Sequence, residues 1–150
     1  KRCCMAETPI PWAILELVQT RLGTVRKANG FRTDAGRDVR LEPAPFDPND
    51  APRLTLYPLT TLYPDDARSA GERGYTFVVE ALMPVRLDNA QHRIVETIAD
   101  IEDALDGFVQ APLALPLQFQ ESVLLDRPDG VAAMAAQLLF GTRYRREQGR

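Results

Sequence analysis

Reactive side chains are scarce in this 150-residue chain, and their spacing decides which chemistries are open to it. The one histidine, His92, would have to serve any hydrolytic triad or Cys–His dyad, and it stands without a second histidine, serine or cysteine in a workable constellation. Cys3 and Cys4 are adjacent at the extreme N-terminus, where they could bridge each other only with strain, so they read as reduced thiols of a disordered end. Zinc needs several Cys or His ligands, which the chain lacks. Phe46-Asp-Pro-Asn-Asp50 offers three oxygen side chains but has neither the glycine nor the distant glutamate of a calcium loop. Asp65-Asp66 could form paired acids, yet nothing beside them in sequence would raise a carboxyl pKa. Gly71-Glu-Arg-Gly74 is turn chemistry, and neither phosphate-cradling glycine motif nor a nucleophile elbow occurs. Arg143, Arg145 and Arg146 make a small basic tail with only Tyr144 as an aromatic among them. The chain therefore reads as non-enzymatic, with no cofactor and no metal.

Composition agrees with a packed domain: 45% of residues are hydrophobic and 26% charged. A formal charge of −3 argues against bulk attraction to nucleic acid. No apolar run approaches the length of a membrane helix, and Lys1-Arg2 precedes no apolar signal segment, so a cytoplasmic origin is the plain expectation. Met5-Ala-Glu looks like a natural start, which makes Lys1–Cys4 an extension outside the fold. We expect a disordered stretch over residues 1–7, one domain over 8–146 and a flexible end over 147–150.

The elements that would position these side chains follow from periodicity. Thr8 as N-cap and Pro9 at the first helical position open a helix to Leu22, with Ile10, Ile14, Leu15, Val18, Leu22 and Val25 on one stripe. Gly23 and then Asn29-Gly30 end it. Arg37–Glu42 and Arg53–Thr60 alternate as strands, and Pro58 marks an edge position or a bulge in the second. Tyr63–Gly74 is a long polar loop, useful for binding or simply mobile. Tyr75–Val85 reads as a strand, and Asp88-Asn89 punctuates the chain before a helix over Ala90–Leu105. In that helix Ile94, Ile98, Ile101 and Leu105 share one side, flanked by Val95 and Phe108. Glu96, Asp100 and Asp103 project from the opposite side, either as a docking stripe or, more plainly, as a solvated face. His92 lies near that outer face, within reach of Glu96. Leu115–Leu125 is extended, Asp126–Gly130 is a turn, and Val131–Arg145 returns. For Ala132–Leu139 the alanines suit a helix, but the Asp-Gly turn suits a hairpin, which we favour. The resulting fold class is α+β: a mostly antiparallel or mixed sheet with two main helices packed on one face.

The order of segments resembles the tail terminator (tail-completion) proteins of long-tailed bacteriophages. Gly30-Phe-Arg-Thr-Asp-Ala-Gly36 followed by Val39 is similar to their Gly-aromatic-x-Thr-x-x-Gly-x-x-Val turn and strand. Ile14–Leu22 resembles their opening helix, and Phe46–Leu56 their acidic stretch leading through a proline into a strand. Ile98-Ala-Asp-Ile-Glu-Asp-Ala-Leu105 resembles their second helix, with the Asp-Ile core its most recognisable piece. Val131–Arg145, closing Tyr-Arg-Arg, resembles their final strand, although its alanine-rich middle is less β-like, and the cysteine head has no counterpart. The resemblance covers Ile10 to Arg146.

It implies a virion protein, assembled in the bacterial cytoplasm, that closes a hexameric ring on the tail tube and offers the surface to which the head docks. Its partners would be further copies of itself, the tail tube protein and the head–tail connector proteins, with no direct sequence-specific nucleic-acid binding and no membrane. A ring needs heterologous contacts. Glu96, Asp100 and Asp103 on one copy and Arg143, Arg145 and Arg146 on the next would suit such a contact. Asp65, Asp66, Arg68, Glu72 and Arg73 in the polar loop are candidates for contacting tube or connector, ordering on binding. Two rivals remain: another connector or tube protein, which as a tube subunit would polymerise without closing, and a small ligand-binding or regulatory domain, which would carry a discrete pocket.

Overall fold

The computed structural model describes residues 7–47, 49–86, 88–125 and 133–146. The cysteine pair, the Asp126–Gly130 turn, Ala132 and the end 147–150 lie outside the described residues.

The first helix, α1, spans Ile10–Leu22. Pro9, not Thr8, stands at its N-cap, with no side-chain cap. The carbonyl of Pro9 accepts from the N–H groups of Trp12 and Ala13, each at 3.0 Å, so the first turn closes on backbone alone. Ile14, Leu15, Val18 and Leu22 are buried as their spacing requires, and Gly23 forms the C-cap. Strand β1 is only Val39–Arg40, shorter than its alternating pattern suggests. Strand β2 spans Arg53–Leu62, and β3 spans Glu72–Pro84. The polar loop is thus shorter than its composition indicates, because Glu72 and Arg73 already belong to a strand. Helix α2 spans Ala90–Leu105, the bounds its periodicity predicts. Strand β4 spans Gln118–Leu124, and β5 spans Ala133–Arg145. The alanine-rich segment is therefore strand: its residues pair with β3 on one side and β4 on the other, and this two-sided ladder overrides intrinsic helix preference.

The five strands form one mixed sheet in the order β1-β2-β3-β5-β4. Among the described residues only the β1–β2 pair is parallel, joining Val39 to Leu54 and Arg40 to Thr55. Alternation along the strands divides the sheet cleanly. Leu54 and Leu56, Tyr75, Phe77, Val79, Ala81 and Met83, and Ala136, Leu138 and Phe140 share one core with buried residues of both helices. Phe77 stacks on Phe140 with ring centroids 5.9 Å apart, and Phe119 meets Phe140 edge-on at 5.7 Å. Both helices thus cover one face; among the described residues no helix covers the other.

Each strand next to an open side of the sheet carries an irregularity. The β2–β3 register slips between Pro58 and Thr60, as the proline foretells, and Leu59 is left over. The β4–β5 register slips between Phe119 and Glu121, leaving Gln120 over Gly141.

Candidate functional site

The sequence analysis singles out an acidic helix stripe, a basic tail and a polar loop; the structure regroups them. Asp100 is not on a solvent face. It is fully buried, together with Thr97, Ile101 and Ala104 of the same helix. The Gly30–Gly36 turn closes over it. One carboxylate oxygen accepts from the Thr33 N–H at 2.8 Å and the Thr33 hydroxyl at 2.7 Å. The other accepts from the Arg32 N–H at 3.2 Å and the Arg32 guanidinium at 3.0 Å. A buried carboxylate needs its lone pairs met in this way. Asp103 accepts from the same guanidinium at 2.8 Å but remains largely exposed. The hydrogen bonds to Asp103, and next to Asp100, push the Arg32 pKa up.

Two glycines let the turn reach α2. Gly30 has φ +91°, a left-handed conformation that costs other residues strain. Gly36 lies so close to the end of α1 that a Cβ would sit 2.3 Å from the Leu22 carbonyl oxygen and 2.9 Å from that of Val25. Its N–H donates to the Val25 carbonyl at 2.9 Å. Two pieces of the family resemblance, the Gly-aromatic-x-Thr turn and the Asp-Ile helix core, are thus the two halves of one contact.

The third residue of the stripe, Glu96, has its Oε1 3.0 Å from Nδ1 of His92, the pairing expected from their spacing. Beside it a groove of about 550 Å³ opens between the start of α2, the Arg32–Asp38 turn and the ends of β2 and β3. Lys27, Arg37, Arg93, Asp34 and Glu96 are among its lining residues, a mixed charge unlike the mostly apolar lining of small-molecule sites.

The second cluster joins residues from the basic tail and the loop. Arg143 on β5 reaches Asp66 at 2.8 Å and Glu72 at 3.1 Å. The two carboxylates push the Arg143 pKa up, Asp66 acting more strongly than Glu72. Asp66 is held below the usual carboxylate range chiefly by the Arg143 hydrogen bond. Glu72 is held low first by the Arg68 N–H, which donates to it at 2.9 Å, and then by Arg143. Arg73 folds back, donating to the carbonyls of Ala70 at 2.9 Å and Glu72 at 2.8 Å, with its guanidinium 5.6 Å from the centre of the Tyr63 ring. The loop is also tied to the end of β5, since the Arg146 N–H donates to the Gly71 carbonyl at 2.9 Å. These contacts tie the loop to its own chain. Asp65, Arg68, Arg145 and Arg146 remain on the surface.

Asp100, Asp103 and Arg143, proposed from sequence as opposite sides of a subunit contact, are therefore each engaged inside the protomer. Sequence reasoning missed Arg32 and Thr33, whose partner lies more than sixty residues away. The turn motif was visible, but nothing local says what it grips. Among the described residues no group of three or more His, Cys, Asp or Glu side chains could hold a metal, and no helix is long and apolar enough to cross a membrane.

No family model matches this chain, and no curated protein does. Solved structures do. A chain from the virion of the native gene transfer agent particle superposes with a TM-score of 0.66, covering 93% of this chain and 100% of its own length at 17% identity. A second solved chain, whose name states no function, gives 0.50 at 14% identity, covering 92% of this chain and 98% of its own. At these identities the likeness is one of fold, and this chain shares its fold almost end to end with a protein of that virion.

Proposed function

We propose that this chain is a structural protein of a phage-like tail: a terminator that closes a hexameric ring on the finished tube and presents the surface to which the head docks. The observation that carries this reading is the near-complete fold likeness to a chain of a gene transfer agent virion, with that chain covered over its whole length. The contact between Thr33 and Asp100 supports it, because it gives the two scattered pieces of the terminator resemblance a shared physical purpose. On this reading the role is mechanical, not catalytic. The partners are further copies of the chain, the tail tube and the connector proteins, and the place of action is the virion tail.

The test is tail completion in vitro. Purified protein is added to tail tubes, and tube growth and joining to filled heads are followed by electron microscopy. The proposal expects growth to stop and head joining to begin only when the protein is present. Continued elongation, or incorporation of the protein along the tube, would point to a tube subunit instead.

A further inference from the structure

The sheet has two open sides, and they match each other. At one, β4 pairs with β5 alone among the described residues. At the other, β1 covers β2 only at Leu54 and Thr55, which leaves Tyr57–Leu62 unpaired on its outer side among the described residues. An unpaired strand presents a row of N–H and C=O groups that templates pairing with another chain. Free-standing proteins guard such edges with charge, proline or bulges; Pro58 and the slips at Leu59 and Gln120 interrupt these two edges locally, but Tyr57–Leu62 carries no charge and Gln118–Leu125 only Glu121. Of the large apolar side chains exposed on the described surface, Leu59, Leu62 and Tyr63 cluster at the first edge and Val123, Leu124 and Leu125 at the second.

Strand direction decides what fits. β2 runs antiparallel to β3, β3 to β5, and β5 to β4, so β4 runs opposite to β2. A second copy placed beside the first in the same orientation therefore offers its β2 edge antiparallel to β4. We infer that β4 of one copy pairs with the Tyr57–Leu62 edge of the next, continuing one sheet from subunit to subunit. This deepens the ring reading and rests on it: a head-to-tail contact of two different edges is the heterologous kind that closes rings.

The short β1 contact sets the stagger. Because β1 occupies the edge at Leu54 and Thr55, an incoming β4 must end at or beyond Tyr57. Running antiparallel, it then carries Val123–Leu125 toward Leu59 and Glu121 toward Thr61–Tyr63. There the Arg73 guanidinium lies over the Tyr63 ring. The apolar residues of the β4 edge thus meet apolar residues, and its one acid arrives near Tyr63, whose ring faces an Arg73 that also donates to the Ala70 and Glu72 carbonyls.

Two double variants test this, each altering side chains exposed on the protomer. Val123→Lys with Leu125→Lys blocks the β4 edge; Thr60→Lys with Leu62→Lys blocks the β2 edge. Circular dichroism verifies their folds, and sedimentation, with tail tubes added in a parallel series, gives their assembly. Wild type should form rings, and each variant alone should be monomeric, its subunit dissociation constant raised at least about 100-fold by loss of several backbone hydrogen bonds. Mixed in equal amounts, the two variants should form a heterodimer and nothing larger, since one intact edge remains on each. Rings from either variant would overturn the edge pairing and leave the ring reading standing. Two variants that stay monomeric when mixed would show that these edges are not partners. A wild type that never self-associates, with or without tubes, would overturn both the pairing and the ring.

Discussion

Two clusters in this molecule have the same formal composition, one arginine between two carboxylates, and do different work. Arg32 joins Asp100 and Asp103, whereas Arg143 joins Asp66 and Glu72. In the first, Asp100 is sealed from water and takes two backbone N–H groups besides the Thr33 hydroxyl and the guanidinium, so opening the turn breaks four hydrogen bonds to one carboxylate at once. In the second, the Asp66 side chain is 74% exposed, and water can replace every ion-pair contact it makes. Identical charges thus make a structural clamp where backbone donors and burial are added, and an adjustable surface tether where they are not.

The sharpest way to break that comparison is Asp100→Ala. It removes a carboxylate with four donors aimed at it and should cost about 3 kcal/mol, lowering Tm by about 10 °C in a thermal melt. Thr33→Val keeps the shape but deletes the hydroxyl that donates to Asp100 at 2.7 Å, for about 1.5 kcal/mol by denaturant titration. Arg143→Ala should move Tm by less than about 2 °C while speeding amide exchange across Ala67–Gly71. A drop comparable to that of Asp100→Ala would show that the two clusters are equivalent after all. Acidification gives the smallest effect. Asp66 and Glu72 both titrate below their usual values in the fold, so their contribution is whole above the usual carboxylate range and is lost as pH falls through the depressed native values. Protection of the loop amides, corrected for the pH dependence of intrinsic exchange, should therefore fall in that acid window, and Asp66→Asn should remove the share due to Asp66 while that of Glu72 remains.

The fold was legible where a single element carries its own pattern. Helix α2 was readable to its ends because four isoleucine and leucine positions repeat at helical spacing. The Pro58 irregularity was readable because a proline cannot donate to a ladder. Legibility failed where the answer depends on a distant partner. Asp100 sits at the border of the apolar sector of α2, and only the turn at Arg32-Thr33 moves it from surface to core. The alanines of β5 lean toward helix until the strands on either side are counted. Glu72 and Arg73 look like loop residues by composition, yet they pair with Arg145 and Tyr144 as the first rungs of β3. The candidate interface suffered most, since which charges remain free for a partner depends on which are already paired within the chain.

The central claim is that copies of this chain close into a ring. The most direct measurement is the mass of the purified wild-type protein over a concentration series, alone and with tail tubes, with the particles imaged by negative stain. The account predicts closed six-membered rings, free in solution or seated on tube ends. A protein that stays monomeric in both conditions, or that extends into open polymers, would contradict it.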